Sequence, residues 1–391
     1  MRNNNTIENL QREIVIPEIV QQKANLAFAQ IKNEYAHTYR KPVKRIKRKA
    51  VWASISAAAL MLGAMSVYAT TYFHWGGGIE EHLHAAESQK QFLEEKQIAS
   101  PVYSSVTDNG ITVTMLQTIT DNRFTYLSFK VEGYEPEEGI QPAFEYKTIE
   151  IDGDHSFSIF MSEFSDGLRL DENRNFTYLD GSPAKENLDG SIISKYIAED
   201  GSMEYMMLLM SVNDSESLIG KPVHLEFHNL GSVKHAEFSP ELEGSWVFDF
   251  TLGGSDEVRS CELSEILGNS GSTVIEAEIS PISLHVAYHM PLQEVPIDGV
   301  DENGNAIQSS TFKEAPKLTG VRLKDGTMLT EITGGGGSEG YSDGNNDIYH
   351  ADYATNCIID PTQVDALLFI KSIPDGDTPL TEENLYIVPL P

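Results

Sequence analysis

Val106–Gly133 reads VTDNGITVTMLQTITDNRFTYLSFKVEG. It holds two runs rich in β-branched and aromatic residues, Ile111–Thr118 and Phe124–Val131. Asp108-Asn109-Gly110 and Asp121-Asn122 precede them as turn signals. The pattern predicts strands, and it recurs at Phe157–Phe160, Tyr205–Met210, His224–His228 and Trp246–Leu252. In the last of these, Trp246, Phe248, Phe250 and Leu252 alternate onto one face, as a core strand requires. A second set comprises Val274–Ile279, Ser283–Tyr288, Gly320–Leu323, Tyr349–Tyr353, Asp365–Ile370 and Leu385–Val388. The linking loops are rich in Gly, Asp, Asn and Ser. This texture predicts a mainly β fold of antiparallel sandwiches. One is expected over residues 101–254 and another over 255–391, divided at Gly253-Gly254-Ser255-Asp256. The glycine-rich Thr333–Tyr341 lacks the GK[ST] of a phosphate-binding loop and reads as a flexible hairpin tip.

Upstream the composition changes. Ala50–Phe73 contains 24 residues and no charge. As a helix it would span about 36 Å, against a bilayer core of about 30 Å. Lys44, Arg45, Lys47, Arg48 and Lys49 flank its near end, and Tyr68, Tyr72, Phe73 and Trp75 gather at its far end. These features predict a single membrane span, with residues 1–49 cytoplasmic and the C-terminal part outside. A cleaved signal peptide ending near Ala69 is the rival reading. The 49 residues before the apolar run are long for a signal peptide and favour the anchor. Charge divides at the same place. Residues 1–49 carry 11 basic and 4 acidic residues, a net of +7, whereas residues 74–391 carry 17 basic and 55 acidic residues, a net of −38. So acidic a C-terminal part should be soluble and should avoid nucleic acid.

Pro17–Tyr39 reads as an amphipathic helix that Pro42 ends. Ile16 lies just before it, and Val20, Ala24, Ala27, Phe28, Ile31 and Tyr35 form one apolar stripe. A lone helix of this length is marginal in water, so its stripe needs a surface. The inner leaflet, a second copy or a cytoplasmic partner would each serve. Beyond the membrane run, Gly76-Gly77-Gly78 breaks the chain, and Ile79–Ile98 reads as one juxtamembrane helix within a linker over 74–100. His82 and His84 would point apart on it and make a poor metal pair.

No catalytic or cofactor-binding motif is present: G-x-S-x-G, H-E-x-x-H, S-x-x-K with its companions and C-x-x-C are all missing. No cofactor is expected. Asp298, Asp301 and Asn303 form one weak calcium pattern, and Asp343, Asn345 and Asp347 another. Neither has a closing Glu, and both suit ordinary turns. Cys261 and Cys357 are the only cysteines; outside the membrane they allow a disulfide, with two free thiols as the alternative.

The order of features resembles a family of Gram-positive single-pass envelope proteins often encoded beside extracytoplasmic-function sigma factors. Ile16-Pro17-Glu18-Ile19-Val20 matches their I-P-x-x-V, and Asp108–Val113 their D-N-G-I-T-V strand. Trp246–Phe250 matches W-x-F-x-F, Ile279-Ser280-Pro281 an I-S-P element, and Leu323–Gly326 an L-K-D-G turn. The resemblance implies immunoglobulin-like sandwiches outside and an anti-sigma role inside. Residues 1–49 contain no Cys, so the zinc-ligand pattern of the commoner anti-sigma domains is absent. The alternative is an envelope protein that grips a wall polymer, a metal or a protein without signalling.

Overall fold

Met203–Ser211 reads MEYMMLLMS, an almost unbroken apolar run. Such a run suits a strand covered on both faces. In the computed structural model, Met206–Met210 are all buried. The structure describes residues 75–171, 175–212, 216–234, 236–300, 306–341, 346–374 and 380–391, without side chains at 297–300 and 306–309. The expected membrane run and cytoplasmic helix lie outside these residues. Among the described residues, no helix is long and apolar enough to cross a membrane.

Two short helices lead, α1 (Gly77–His82) and α2 (Glu87–Glu95). The strands that follow are β1 (Ala99–Asp108), β2 (Ile111–Thr120), β3 (Phe124–Glu132), β4 (Gln141–Ile151) and β5 (Phe157–Phe164). Then come β6 (Leu168–Leu170), β7 (Phe176–Tyr178), β8 (Met203–Ser211), β9 (Pro222–Lys234) and β10 (Glu237–Thr251). A five-stranded antiparallel sheet, ordered β1-β2-β3-β8-β5, and a three-stranded sheet, β10-β9-β4, enclose one core between them. Trp246, Phe248, Phe129 and Phe227 are fully buried there. Phe144 stacks on Phe227 at 4.4 Å, and Phe129 meets Phe227 edge-on at 5.1 Å. Burying each such ring contributes roughly 1.5–3 kcal/mol.

The second series is β11 (Arg259–Ile266), β12 (Thr273–Ile279), β13 (Ser283–His289), β14 (Glu294–Val300), β15 (Ala306–Phe312) and β16 (Leu318–Leu323). It continues with β17 (Met328–Leu329), β18 (Gly336–Tyr341), β19 (Ile348–Ala354), β20 (Val364–Ile370) and β21 (Leu385–Pro389). Sheets β11-β12-β13-β19-β18 and β17-β16-β20-β21 enclose a second core around Tyr288, Val286, Leu367 and Phe369. Strands β14 and β15 pair only with each other. Both halves are therefore sandwich-like, and residues 74–391 group as one compact unit.

Two expectations change. The juxtamembrane segment is not one helix: α1 ends at His82 and His84 adopts φ +44°, so the chain turns before α2. No Gly or Pro marks that break. The glycine-rich stretch is not a free tip either. Gly336–Tyr341 is strand β18, paired along β19. A Cβ on Gly336 would meet the Phe160 ring at 2.7 Å, and one on Gly335 would lie 3.1 Å from the Tyr126 hydroxyl. The glycines let the second β series approach the first closely.

Candidate functional site

The first described residues, Trp75–Ile79, are built into the β unit. Glu204, on β8, faces away from the aromatic core and beneath the start of α1. The Gly78 amide donates to Glu204 Oε2 at 2.6 Å and the Ile79 amide to Oε1 at 3.2 Å. Ser128 Oγ on β3 donates to Oε1 at 2.9 Å. Burial pushes the Glu204 carboxyl pKa up, and these three donors partly offset it. The glycine triplet has a steric reason here. A Cβ on Gly76 would overlap the Glu204 carboxylate, and one on Gly78 would lie 2.8 Å from Ser165 Cβ.

α1 has six residues and α2 nine, too short to stand alone. Packing holds them: Ile79, Leu83 and Leu93 are fully buried. Trp75 Nε1 donates to Glu94 at 2.9 Å, and Lys90 bridges Glu80 and Glu87 at 3.0 and 2.8 Å. The covered sheet face is partly polar. Gln117 pairs with Ser128 across β2 and β3, is buried, and finds no partner among protein atoms for either end of its amide. His82 Nε2 is likewise buried without a partner, and its ring lies 5.6 Å from that of Tyr126. Burial lowers the His82 pKa, with His84 adding to the effect.

A cavity of about 820 Å³ opens beside this strap, lined by Trp75, the glycine triplet, Tyr103 and Leu116 and by residues of the 195–204 segment. Lys130 and Lys195 bring charge to it, each already paired: Lys130 with Asp200 at 3.0 Å and Lys195 with Asp180 at 2.7 Å. The Ser202 hydroxyl, then Lys130, hold the Asp200 carboxyl down at about 2.

The same region joins the two β series. Tyr126 OH donates to the Thr355 carbonyl at 3.0 Å, and Gln89 Nε2 on α2 to the Ile358 carbonyl at 2.9 Å. Asp121 Oδ1 accepts the amides of Arg123 and Phe124, both at 2.8 Å. Its Oδ2 accepts the hydroxyls of Ser280 and Ser283. Arg123 spans to Glu278 at 3.0 Å and Asp352 at 3.1 Å, and Asp352 accepts from His285 Nδ1 at 2.8 Å. Burial disfavours the charged Asp352, but the His285 hydrogen bond and the Arg123 charge outweigh it and its pKa is lowered. Removing one partner of such a buried pair is costly, because it leaves the other charge uncompensated.

The sequence-predicted site residues fare unevenly. Ile16, Val20, Ala24, Ala27, Phe28, Ile31 and Tyr35, and the basic Lys44, Arg45, Lys47, Arg48 and Lys49, lie outside the described residues. So do Asp301, Asn303, Asp343 and Asn345. Asp298 is on β14 opposite Gln308, and the Asp347 carbonyl accepts the Met290 amide at 2.8 Å. Cys261 and Cys357 are both free thiols, so the structure holds no bond between them. Burial pushes the Cys357 thiol up to about 11, away from a reactive thiolate. Among the described residues, no three His, Cys, Asp or Glu side chains converge, as they stand, on a point that would hold a metal ion. Sequence reading missed Glu204 and Gln117, ordinary polar residues within β-rich runs, and read Asp121 only as a turn residue. The unbroken apolar run around β8 was the one signal that a second layer covers that sheet.

Comparison with known proteins adds little chemistry. Residues 45–133 match a family described as "Domain of unknown function (DUF4179)"; the domain runs from the basic segment to the end of β3. No curated protein matches the chain. A solved structure titled "The crystal structure of the conserved domain protein from Bacillus anthracis" is similar at 13% identity and a TM-score of 0.35. The likeness covers 77% of this chain and 87% of that one, and at that score it carries no argument.

Proposed function

We propose that this chain is a single-pass membrane regulator that couples an extracellular β sensor to a cytoplasmic sigma factor. In this reading Ala50–Phe73 spans the membrane, residues 1–49 lie inside, and two immunoglobulin-like sandwiches, 101–254 and 255–391, lie outside. The observation that carries it is the strap. Shortly after the apolar run, Gly78 and Ile79 are hydrogen-bonded to the half-buried Glu204 carboxylate in the central sheet. The helices touch both β series, α1 on Glu204 of β8 and α2 through Gln89 on the Ile358 carbonyl. A rearrangement of the sheet or of the seam would therefore reach the chain at Trp75. An inert tether would need no such attachment. The apolar stripe Ile16–Tyr35 is the surface through which the output would be read.

The test is capture of the sigma factor encoded beside the gene by the full chain in detergent. Capture is expected, and Phe28→Asp with Ile31→Asp should abolish it. Absence of capture from both proteins would overturn the regulatory reading.

A further inference from the structure

The cavity beside the strap has features that attachment of the strap does not require. Its volume of about 820 Å³ is that of a small-molecule site. Leu116, Lys130 and Glu204, on β2, β3 and β8, line it from the sheet, and the 195–204 segment lines it from the side.

The sheet is irregular at this place. Between β1 and β2 the register steps from Pro101 opposite Gln117 to Ser104 opposite Met115, so Val102 and Tyr103 face Leu116 alone. Leu116 is also the extra residue of β2 against β3, between Met115 opposite Phe129 and Gln117 opposite Ser128. Such bulges are common beside binding sites, where they re-aim a side chain. Here Val102 packs against the aromatic core, whereas Tyr103 and Leu116 both line the cavity. Tyr103 adopts φ +49°, a strained conformation for a bulky residue, and its ring stays exposed. A strand that only had to pair would not hold an aromatic residue in this way. Trp75 and Tyr196 add two further rings to the lining.

Charge narrows the ligand. Lys130 is paired with Asp200 at 3.0 Å and Lys195 with Asp180 at 2.7 Å. Lys195, then the Ser182 hydroxyl, hold the Asp180 carboxyl below the usual carboxylate range, so this pair stays charged. Both lysines are thereby compensated. Glu199 and Glu204 are also in the lining, which is net negative even with Glu204 protonated. An anion would have to displace an existing carboxylate from a lysine. A cation with an apolar body meets aromatic faces and surplus negative charge, the combination that recognises organic ammonium groups.

We propose that this cavity binds a small organic ammonium ion with an apolar body, its cationic end beside Glu199 and the rings of Trp75, Tyr103 and Tyr196. The site is independent of whatever residues 1–49 contact.

The experiment is equilibrium dialysis of the full chain in a non-ionic detergent against phenylbutylamine, with protein-free micelles as the blank. Phenylbutanol and phenylbutanoate serve as neutral and anionic counterparts of the same body. The wild type should bind about one amine with a Kd of about 100 µM, and phenylbutanoate at least about tenfold more weakly. Tyr103→Gly should weaken the amine by about tenfold. Glycine adopts a positive φ without strain, so this variant keeps its fold, as circular dichroism will check. Glu199→Lys, an exposed change, should weaken the amine by about tenfold and leave phenylbutanol unaffected. Tyr146→Ala, on β4 of the other sheet, should bind as the wild type does. No saturable amine uptake at about 1 mM, equal affinity for amine and carboxylate, or unchanged uptake by both Tyr103→Gly and Glu199→Lys would overturn the proposal.

Discussion

Along β3, Leu127, Phe129 and Val131 point into an aromatic core, whereas Tyr126, Ser128 and Lys130 point toward the other face of the same sheet. Both faces are largely covered, one by sheet β10-β9-β4 and the other by α1 and α2 together with the start of β18. Their chemistry differs. The first is close-packed rings and aliphatic groups. The second mixes Ile119, Leu208 and Met210 with Glu204, Gln117 and the edge of His82. An apolar group gains from cover on every contact. A buried amide without a partner loses about 1–3 kcal/mol relative to water. The helical layer is thus held by real contacts over groups that favour hydration, and its hold should be the weaker of the two. Such low-stability elements are where motion is drawn from.

The largest effect should come from the aromatic face. Trp246 is fully buried, and its Nε1 donates to the Ile111 carbonyl at 3.1 Å, joining β10 to β2. Trp246→Ala should destabilise the chain by about 3–5 kcal/mol, read by urea unfolding. A loss below about 1 kcal/mol would mean that this face is not the stronger one.

The second effect should have the opposite sign. Gln117→Met keeps the side-chain volume close and removes an unpartnered amide from beneath the helices. It should stabilise by about 1 kcal/mol, and amide exchange in α1 and α2 should slow. Destabilisation of similar size would show that Gln117 is satisfied in solution and that the two faces are more alike than they look.

Much of this contrast lay beyond the reach of sequence reading, for definable reasons. The runs Ile111–Thr118, Phe124–Val131 and Trp246–Leu252, which fall on β2, β3 and the end of β10, were legible because alternation and turn residues are local signals. β4 was not, since Gln141–Ile151 intersperses Glu, Lys and Thr and gives no clean apolar run. Nor was the seam. Ser280 of the I-S-P element meets Asp121 across 159 residues, and Gly78 meets Glu204 across 126. Pairings so distant leave no periodicity. Gly335 and Gly336 were misread because close backbone approach and loop flexibility call for the same residue. Likewise His224 of β9 finds Asp249 of β10 through strand register alone, across 25 residues.

The smallest effect concerns pH, and it tests whether the helical layer is tuned. Burial lowers the His82 pKa below its ordinary 6.5. A histidine of that kind contributes stability at pH above 6.5, and the contribution is lost as pH falls through the lowered value. Glu204 works in the other direction. Its raised pKa stabilises the strap below its ordinary 4.5, and that stability is lost as pH rises through the raised value. The wild-type curve carries both slopes, so the difference between wild type and His82→Phe isolates the first. Phe keeps a ring against Tyr126 and cannot take a proton. Between pH 7.5 and 5, the wild type should lose protection of the α1 amides relative to the variant, by below about 1 kcal/mol. Equal slopes in the two proteins would mean that His82 reaches water with α1 in place, and the covered face would then be wetter than its burial implies.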